Sequence, residues 1–274
     1  MMRRTGAPVL LDGSHGEAER DRQLALCDMH RMEAELLFDR IGVHSGWHTL
    51  DLGCGTLGVL DVLAERVGPR GRVIGLDREP AMVEAAARTL KERGVHGVAL
   101  VRGDLTDTGG ATASFDLVHE RLMLADAICP RAMVAEMARL TRPGGWVALQ
   151  DADFVSWTCE PPSPAWDRLR HALTSTWAGD PHIGRRLPGL LRGAGLEDVE
   201  VDVHVGLWLP GDLNHTLLPH LVELHRERIV ALGPLTGFDL DLDVDTVREH
   251  LAQPGTIVLG WTLFQAWGRK PFPA

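Results

Sequence analysis

At 274 residues the chain exceeds the roughly 100–200 residues of a typical domain, so one enlarged domain or a core with a lid is expected. A composition 45% apolar and 24% charged, with no apolar run near ~18 residues, describes a folded globular protein and excludes a membrane-spanning helix. The formal charge of -10, from 38 acidic against 28 basic residues, argues against nucleic acid held by its phosphates and for small-molecule or protein partners.

Residues 1–16 are polar and glycine-rich without a period and read as a loose tail. No apolar stretch typical of a secretory leader follows Met1, so a cytoplasmic location is expected. Residues 17–46 carry Leu24, Cys27, Met32, Leu36 and Leu37 near helical spacing and read as an N-terminal helical cap. From residue 47 onward short apolar runs alternate with helical stretches. The runs are 48–52, 72–76, 97–101, 115–119 and 146–150; the helices are 59–67, 80–93 and 130–140, the last two opening on proline. This alternation predicts an α/β doubly wound parallel sheet with function at the carboxyl ends of its strands. After Asp153 the rhythm breaks into an insertion at 155–195 with helices near 165–177 and 187–194. A strand near 199–205, helices at 212–232 and 243–252, and a last strand at 256–267 complete residues 47–274.

The segment Leu50-Asp51-Leu52-Gly53-Cys54-Gly55-Thr56-Leu57-Gly58 closes the first strand and opens the first helix. Glycines there allow a tight turn and close approach of a ligand to the backbone. Gly53-x-Gly55-x-x-Gly58, followed by Asp77, also satisfies a dinucleotide fingerprint, which keeps a nicotinamide-dependent oxidoreductase open. Asp51 opposes that reading, because a carboxylate two residues before the first glycine repels a pyrophosphate and suits a cationic amino group. Gly103-Asp104-Leu105 follows the third strand, and Pro143-Gly144-Gly145 precedes the fifth.

Taken together, LDLGCGTLG at 50–58, IGLD at 74–77, GDL at 103–105, FDLVHERLML at 115–124 and LTRPGGWVALQDAD at 140–153 resemble the class I S-adenosylmethionine-dependent methyltransferases. Among these the chain looks most like UbiE-like small-molecule enzymes of actinobacterial type. The resemblance implies a Rossmann-like seven-stranded sheet whose last strand is antiparallel. It implies S-adenosylmethionine as cofactor and S-adenosylhomocysteine as product. Carried over by position, Asp51, Gly53, Cys54 and Gly55 hold the methionine part, Asp77 takes the ribose hydroxyls, and Arg78 flanks the adenine. Gly103, Asp104 and Leu105 meet the adenine edge, and Glu120 and Arg121 line the sulfonium. One departure is that the usual third glycine falls at Leu57, with Gly58 displaced by one.

With no tyrosine in the chain, proton removal from an acceptor falls to histidine, carboxylate or water. His119 is a candidate base or a hydrogen-bonded core histidine, and Asp153 a candidate catalytic carboxylate or a loop cap. Trp157, Trp177 and His182 are candidate substrate contacts, with packing of the cap as the alternative role for the tryptophans. Four scattered cysteines without CxxC spacing predict reduced thiols and no metal site. The expected function is methyl transfer to a small-molecule acceptor, at oxygen, in secondary metabolism, with no nucleic acid or membrane partner and a homodimer allowed for. The alternative is a non-methylating descendant that binds the cofactor and catalyses another reaction such as cyclisation.

Overall fold

The computed structural model describes residues 16–273; the expected loose tail falls outside them except for Gly16, which opens a helix. Eight strands form one mixed sheet: β1 His48–Leu52, β2 Arg72–Asp77, β3 Val98–Arg102, β4 Phe115–Arg121, β5 Thr141–Asp153, β6 Thr158–Glu160, β7 Glu197–Trp208 and β8 Ile257–Arg269. The order runs β3-β2-β1-β4-β5-β8, with β7 on the outer side of β8. The first five are parallel, whereas β8 is antiparallel to β5, β6 and β7. Three-residue β6 continues the line of β5 along β8 after a single 3₁₀ turn, so the sheet is in effect seven strands wide. An antiparallel strand beside β5 departs from the all-parallel dinucleotide-binding order.

Helices α3 Leu60–Val67, α4 Pro80–Glu92 and α5 Pro130–Leu140 form the crossovers. Proline stands in the first turn of α4 and α5, where no backbone donor is needed. The expected turn at Pro143-Gly144-Gly145 is absorbed into β5 as an irregularity, since the pairing jumps from Phe115 opposite Thr141 to Leu117 opposite Trp146. Gly144, at φ +78°, donates its N–H to the Lys270 carbonyl there.

Helices α1 Gly16–Met29 and α2 Arg31–Ile41 lie over the sheet next to α3. Ala34, Leu37, Phe38 and Ile41 of α2 bury against Leu60, Leu63 and Val67 of α3. Around this apolar seam Arg31 pairs with Asp61, Arg66 with Asp39 and Arg93 with Asp28. Helices α6 Pro164–Ser175, α8 Leu217–Leu224 and α10 Gly237–Leu251 pack on one another and on Leu26 of α1, with α7 Leu187–Gly193 against β7 and β8. The single helix expected over 212–232 is broken: a 3₁₀ turn at Leu213–Thr216, then α8, then α9 Arg226–Leu232, the two α-helices meeting at His225. Helix α10 starts six residues before the expected 243, because the Thr236 hydroxyl accepts the Asp239 N–H and starts a helix over an aspartate-rich stretch.

Candidate active site

The glycine loop is fastened to the end of β2 by two bonds, from the N–H groups of Gly53 and Cys54 to the Leu76 carbonyl, 2.7 and 3.1 Å. Gly53, Gly55 and Gly58 take φ of +80°, +52° and +57°, in the left-handed region that favours glycine. Gly58 is also sterically obligatory: a Cβ there would lie 2.0 Å from Asp51 Oδ2. The displaced third glycine therefore does a defined task, and Leu57 is instead a core side chain, 1% exposed.

Asp51 turns beneath this loop. Its Oδ2 accepts the Val59 N–H at 3.1 Å and its Oδ1 the His119 Nδ1–H at 2.8 Å, and the residue is 1% exposed. His119 stands opposite Asp51 in the β1–β4 register. Its Nε2 lies 2.9 Å from the Gln150 side-chain amide, and Phe38 meets the ring edge-on at 5.4 Å. Each ring nitrogen faces an acceptor oxygen, Asp51 Oδ1 at Nδ1 and Gln150 Oε1 at Nε2. Both nitrogens of this fully buried ring are thus occupied, which corrects the expectation of His119 as a catalytic base. It is the hydrogen-bonded core histidine of the two roles open for it.

At the end of β2 the Asp77 carboxylate accepts the Gly55 N–H and the Glu79 N–H, each at 3.0 Å, and burial raises its pKa. The neighbouring strand end brings Gly103, whose N–H reaches the Asp77 carbonyl, and Leu105, 8% exposed. Asp104 is exposed; the Thr106 hydroxyl and N–H both bond its Oδ1 and hold its carboxyl below the usual range. Arg78 is exposed on the same edge, its carbonyl accepting from Arg102 Nε. The buried Cys54 thiol is pushed well up by burial, with the Asp51 and Asp77 charges adding to it. It stays protonated and inert.

At the end of β4 the strand's alternation sends neighbours to opposite faces. Arg121 donates to the His30 carbonyl at 3.2 Å and the Gly58 carbonyl at 2.7 Å, tying the helical cap to the glycine loop. Glu120 is fully buried; its Oε2 accepts the Met123 N–H, and its Oε1 has no partner. Burial, then the Asp151 carboxylate, push its pKa well above the usual range. Asp151 is itself raised to about 7 by burial, despite accepting the N–H groups of Leu124, Ala125 and Ala152. These acids anchor the segment that places Met123 over Gly53, where a Cβ would meet the Met123 side chain at 2.5 Å.

At the carboxyl end of β5 the structure joins two residues that the sequence treats separately. Asp153 Oδ1 accepts from His182 Nδ1 at 3.1 Å and from the Val155 N–H at 3.0 Å, and its Oδ2 pairs with Arg185. Burial raises the Asp153 pKa, but Arg185, the Val155 amide and His182 outweigh it and leave it below the usual value. A carboxylate so held is an orienting group and a weak proton acceptor, and its bond from the Val155 N–H also caps the turn that follows.

Trp157, Trp166, Trp177, Trp208 and Trp261 share one core cluster. Trp157 lies 5.4 Å from Trp261, 5.8 Å from Trp166 and 6.2 Å from Trp208 between ring centroids. Trp166 donates to the Trp157 carbonyl and Trp177 to the Ala125 carbonyl. The buried indole N–H groups of Trp157, Trp208 and Trp261 have no acceptor among the described residues, nor has either ring nitrogen of His30, 6.2 Å from Trp261. Such a concentration of unmet polar atoms is unusual in a packed interior. His30 and Trp261 escaped the sequence reading: one sits between two helices and the other inside an apolar strand, with no motif around either.

A family profile described as a methyltransferase domain matches residues 43–180. The chain is 38% identical over 122 residues to a nocamycin O-methyltransferase of Saccharothrix syringae, covering 44% of each. It is 37% identical over 106 residues to a demethylmenaquinone methyltransferase of Geobacillus stearothermophilus, 39% of this chain and 45% of that one. It thus spans about half the length of the curated relatives it matches. A phosphoethanolamine N-methyltransferase of Haemonchus contortus, solved with S-adenosylhomocysteine, shares the fold with a TM-score of 0.58 at 17% identity, over 92% of this chain and 58% of that one. Sheet order, strand-end acids and this profile agree: the chain belongs to the class I S-adenosylmethionine-dependent methyltransferases.

Proposed function

We propose that the protein methylates an oxygen of a small, largely apolar acceptor, with His182 taking the acceptor proton and Asp153 orienting His182. The observation that carries this is the His182–Asp153 pair: Nδ1–H given to a carboxylate leaves Nε2 as the acceptor, the arrangement of a base and its orienting group. Oxygen as the target is supported by the nocamycin O-methyltransferase relative.

The residues of the glycine loop suit the cofactor. Nothing lies within 4 Å of where a Gly55 Cβ would project, so the backbone there is open to a ligand. A carboxylate offers about four acceptor positions, and Asp77 spends two on backbone N–H groups, leaving two for ribose hydroxyls. Gly53, Gly55 and the Cys54 backbone hold the methionine part, Arg78 flanks the adenine, and Gly103, Asp104 and Leu105 meet its edge. Asp51 and Arg121 act through the loop, one beneath Gly58 and the other on its carbonyl. Bound S-adenosylmethionine supplies a methyl group already activated on a sulfonium.

The protein's own contribution is then position and proton removal. Of the two candidate tryptophans Trp177, 8% exposed and bonded to the Ala125 carbonyl, is the one proposed to meet the acceptor, whereas Trp157, 0% exposed, packs the core cluster. Incubation with methyl-labelled cofactor and a panel of phenols tests the reading. Label in the acceptor, lost with His182→Gln, is the expected result. Binding of S-adenosylhomocysteine without transfer to any acceptor would favour the non-methylating alternative, and tighter binding of NAD would remove the site assignment. Among the described residues no helix is long and apolar enough to cross a membrane.

A further inference from the structure

A groove of about 1210 Å³ adjoins the site above, sharing Arg185 with it. It runs from the segment after β4 and the first turn of α5, past residues 178–186, to α7 and α9. Four arginines line it, Arg131, Arg185, Arg186 and Arg228, against two carboxylates, Asp126 and Asp180. On a chain of net charge -10 this is a local excess of positive charge.

Two of the four are already paired: Arg185 with Asp153, and Arg186 with Asp180 at 2.9 Å. Arg131 and Arg228 have no ion pair or hydrogen bond among the described residues, and the Nε of half-buried Arg228 is shut off from solvent without an acceptor. Leaving a guanidinium N–H buried and unmet is costly, so an acceptor from outside the chain is the natural complement. The same groove carries apolar surface that nothing covers, with Ile128 84% and Leu232 68% exposed. The first turn of α5 also opens into it, and no side chain caps that turn.

We propose that this groove is a ligand site for an amphipathic organic anion, with its carboxylate or sulfonate between Arg131 and Arg228 and its apolar body against Ile128 and Leu232. Two uncompensated guanidiniums set the charge of the guest, and the adjoining aliphatic wall sets its apolar part. A groove of this volume accommodates a molecule of several rings. Through Arg185, which lines the groove and binds Asp153, the site adjoins the proposed acceptor pocket.

The probe is 1-anilinonaphthalene-8-sulfonate, compared with N-phenyl-1-naphthylamine, which has the same rings without the anion. Fluorescence titration of the full chain is expected to give at least about tenfold tighter binding of the sulfonate, as one charge-assisted contact confers. Arg131→Ala and Arg228→Ala are each expected to weaken it about five- to tenfold, and Arg88→Ala, which removes an exposed charge on α4, to leave it unchanged. Neither groove arginine holds another residue, so both variants should fold, and their S-adenosylhomocysteine affinity by calorimetry should match the parent. Equal affinity for the two probes would overturn the proposal. So would an Arg131→Ala/Arg228→Ala protein that binds the sulfonate within twofold of the parent, or an equal loss in Arg88→Ala.

Discussion

Gly58→Ala places the first side-chain atom of the new residue 2.0 Å from Asp51 Oδ2 and 3.0 Å from the Cys54 carbonyl. Two costs add. A Cβ at φ +57° costs roughly 1–2 kcal/mol. Pushing the buried carboxylate aside weakens its bonds to the Val59 N–H and to His119, each worth about 1.5–3 kcal/mol when one partner is charged. A loss of about 3–5 kcal/mol follows if the loop gives way only in part. Gly55→Ala supplies the internal control, because it shares the left-handed backbone at φ +52° but meets nothing within 4 Å. Only the roughly 1–2 kcal/mol of backbone strain applies there. Urea unfolding of the two variants should therefore differ by about 2 kcal/mol, near 1 M in midpoint at a slope of ~2 kcal/mol/M. Calorimetry with S-adenosylhomocysteine should reverse the ranking per unit of stability lost, since the Gly55 methyl would intrude on ligand space while leaving the core intact. Equal stabilities for the two variants, or Gly55→Ala as the less stable, would refute the packing argument.

Four further outcomes follow from the same geometry. His182→Gln should lower kcat about 10²- to 10⁴-fold with S-adenosylhomocysteine affinity unchanged, and its rate should recover at high pH, where the acceptor ionises unaided; a flat profile would exclude His182 as the base. Asp77→Ala should weaken S-adenosylhomocysteine at least about tenfold while retaining the fold, as loss of a charged acceptor implies; unchanged affinity would remove Asp77 from the site. Burial, with Arg121 and His204 nearby, lowers His30 to about 3, so the unfolded chain binds its proton first as pH falls below about 6.5. This removes about 2 kcal/mol of stability by pH 5, and His30→Leu should flatten that part of the urea-midpoint profile. For Glu120 the sign is opposite: its carboxyl keeps a proton in the folded protein that the unfolded chain releases above about pH 4.3. Glu120→Gln should be more stable than the parent at pH 8 by at least about 1 kcal/mol, a gain that shrinks toward pH 5; a pH-independent difference would contradict this.

The parallel half of the sheet was legible because its strands are short apolar runs closed by acids and glycines, and β1 and α5 have the expected bounds. Legibility fell where one local contact decides the outcome. The break at His225 and the early start of α10 at Thr236 depend on caps and turns that periodicity does not register. In the site, a motif could place Asp51 and Asp77 at strand ends, but not say which way each carboxylate turns. Cross-strand register sends Asp51 to His119, and loop closure brings Asp77 to Gly55. The His182–Asp153 pair was beyond reach because its members lie 29 positions apart and only the folded path past Pro181 and Phe154 rejoins them.

Strand β8 stands between β5 and β7 and is antiparallel to both. It is also C-terminal to each of them, so during synthesis β5 is made, then β7, and neither has its neighbour until residues 257–269 emerge. Over that interval the nascent protein carries two open strand edges, including the buried apolar run around Val147–Leu149, which are templates for pairing with another chain. Yield in a cell should therefore depend less on the stability of the finished sheet than on how long the ribosome takes to deliver its central antiparallel strand.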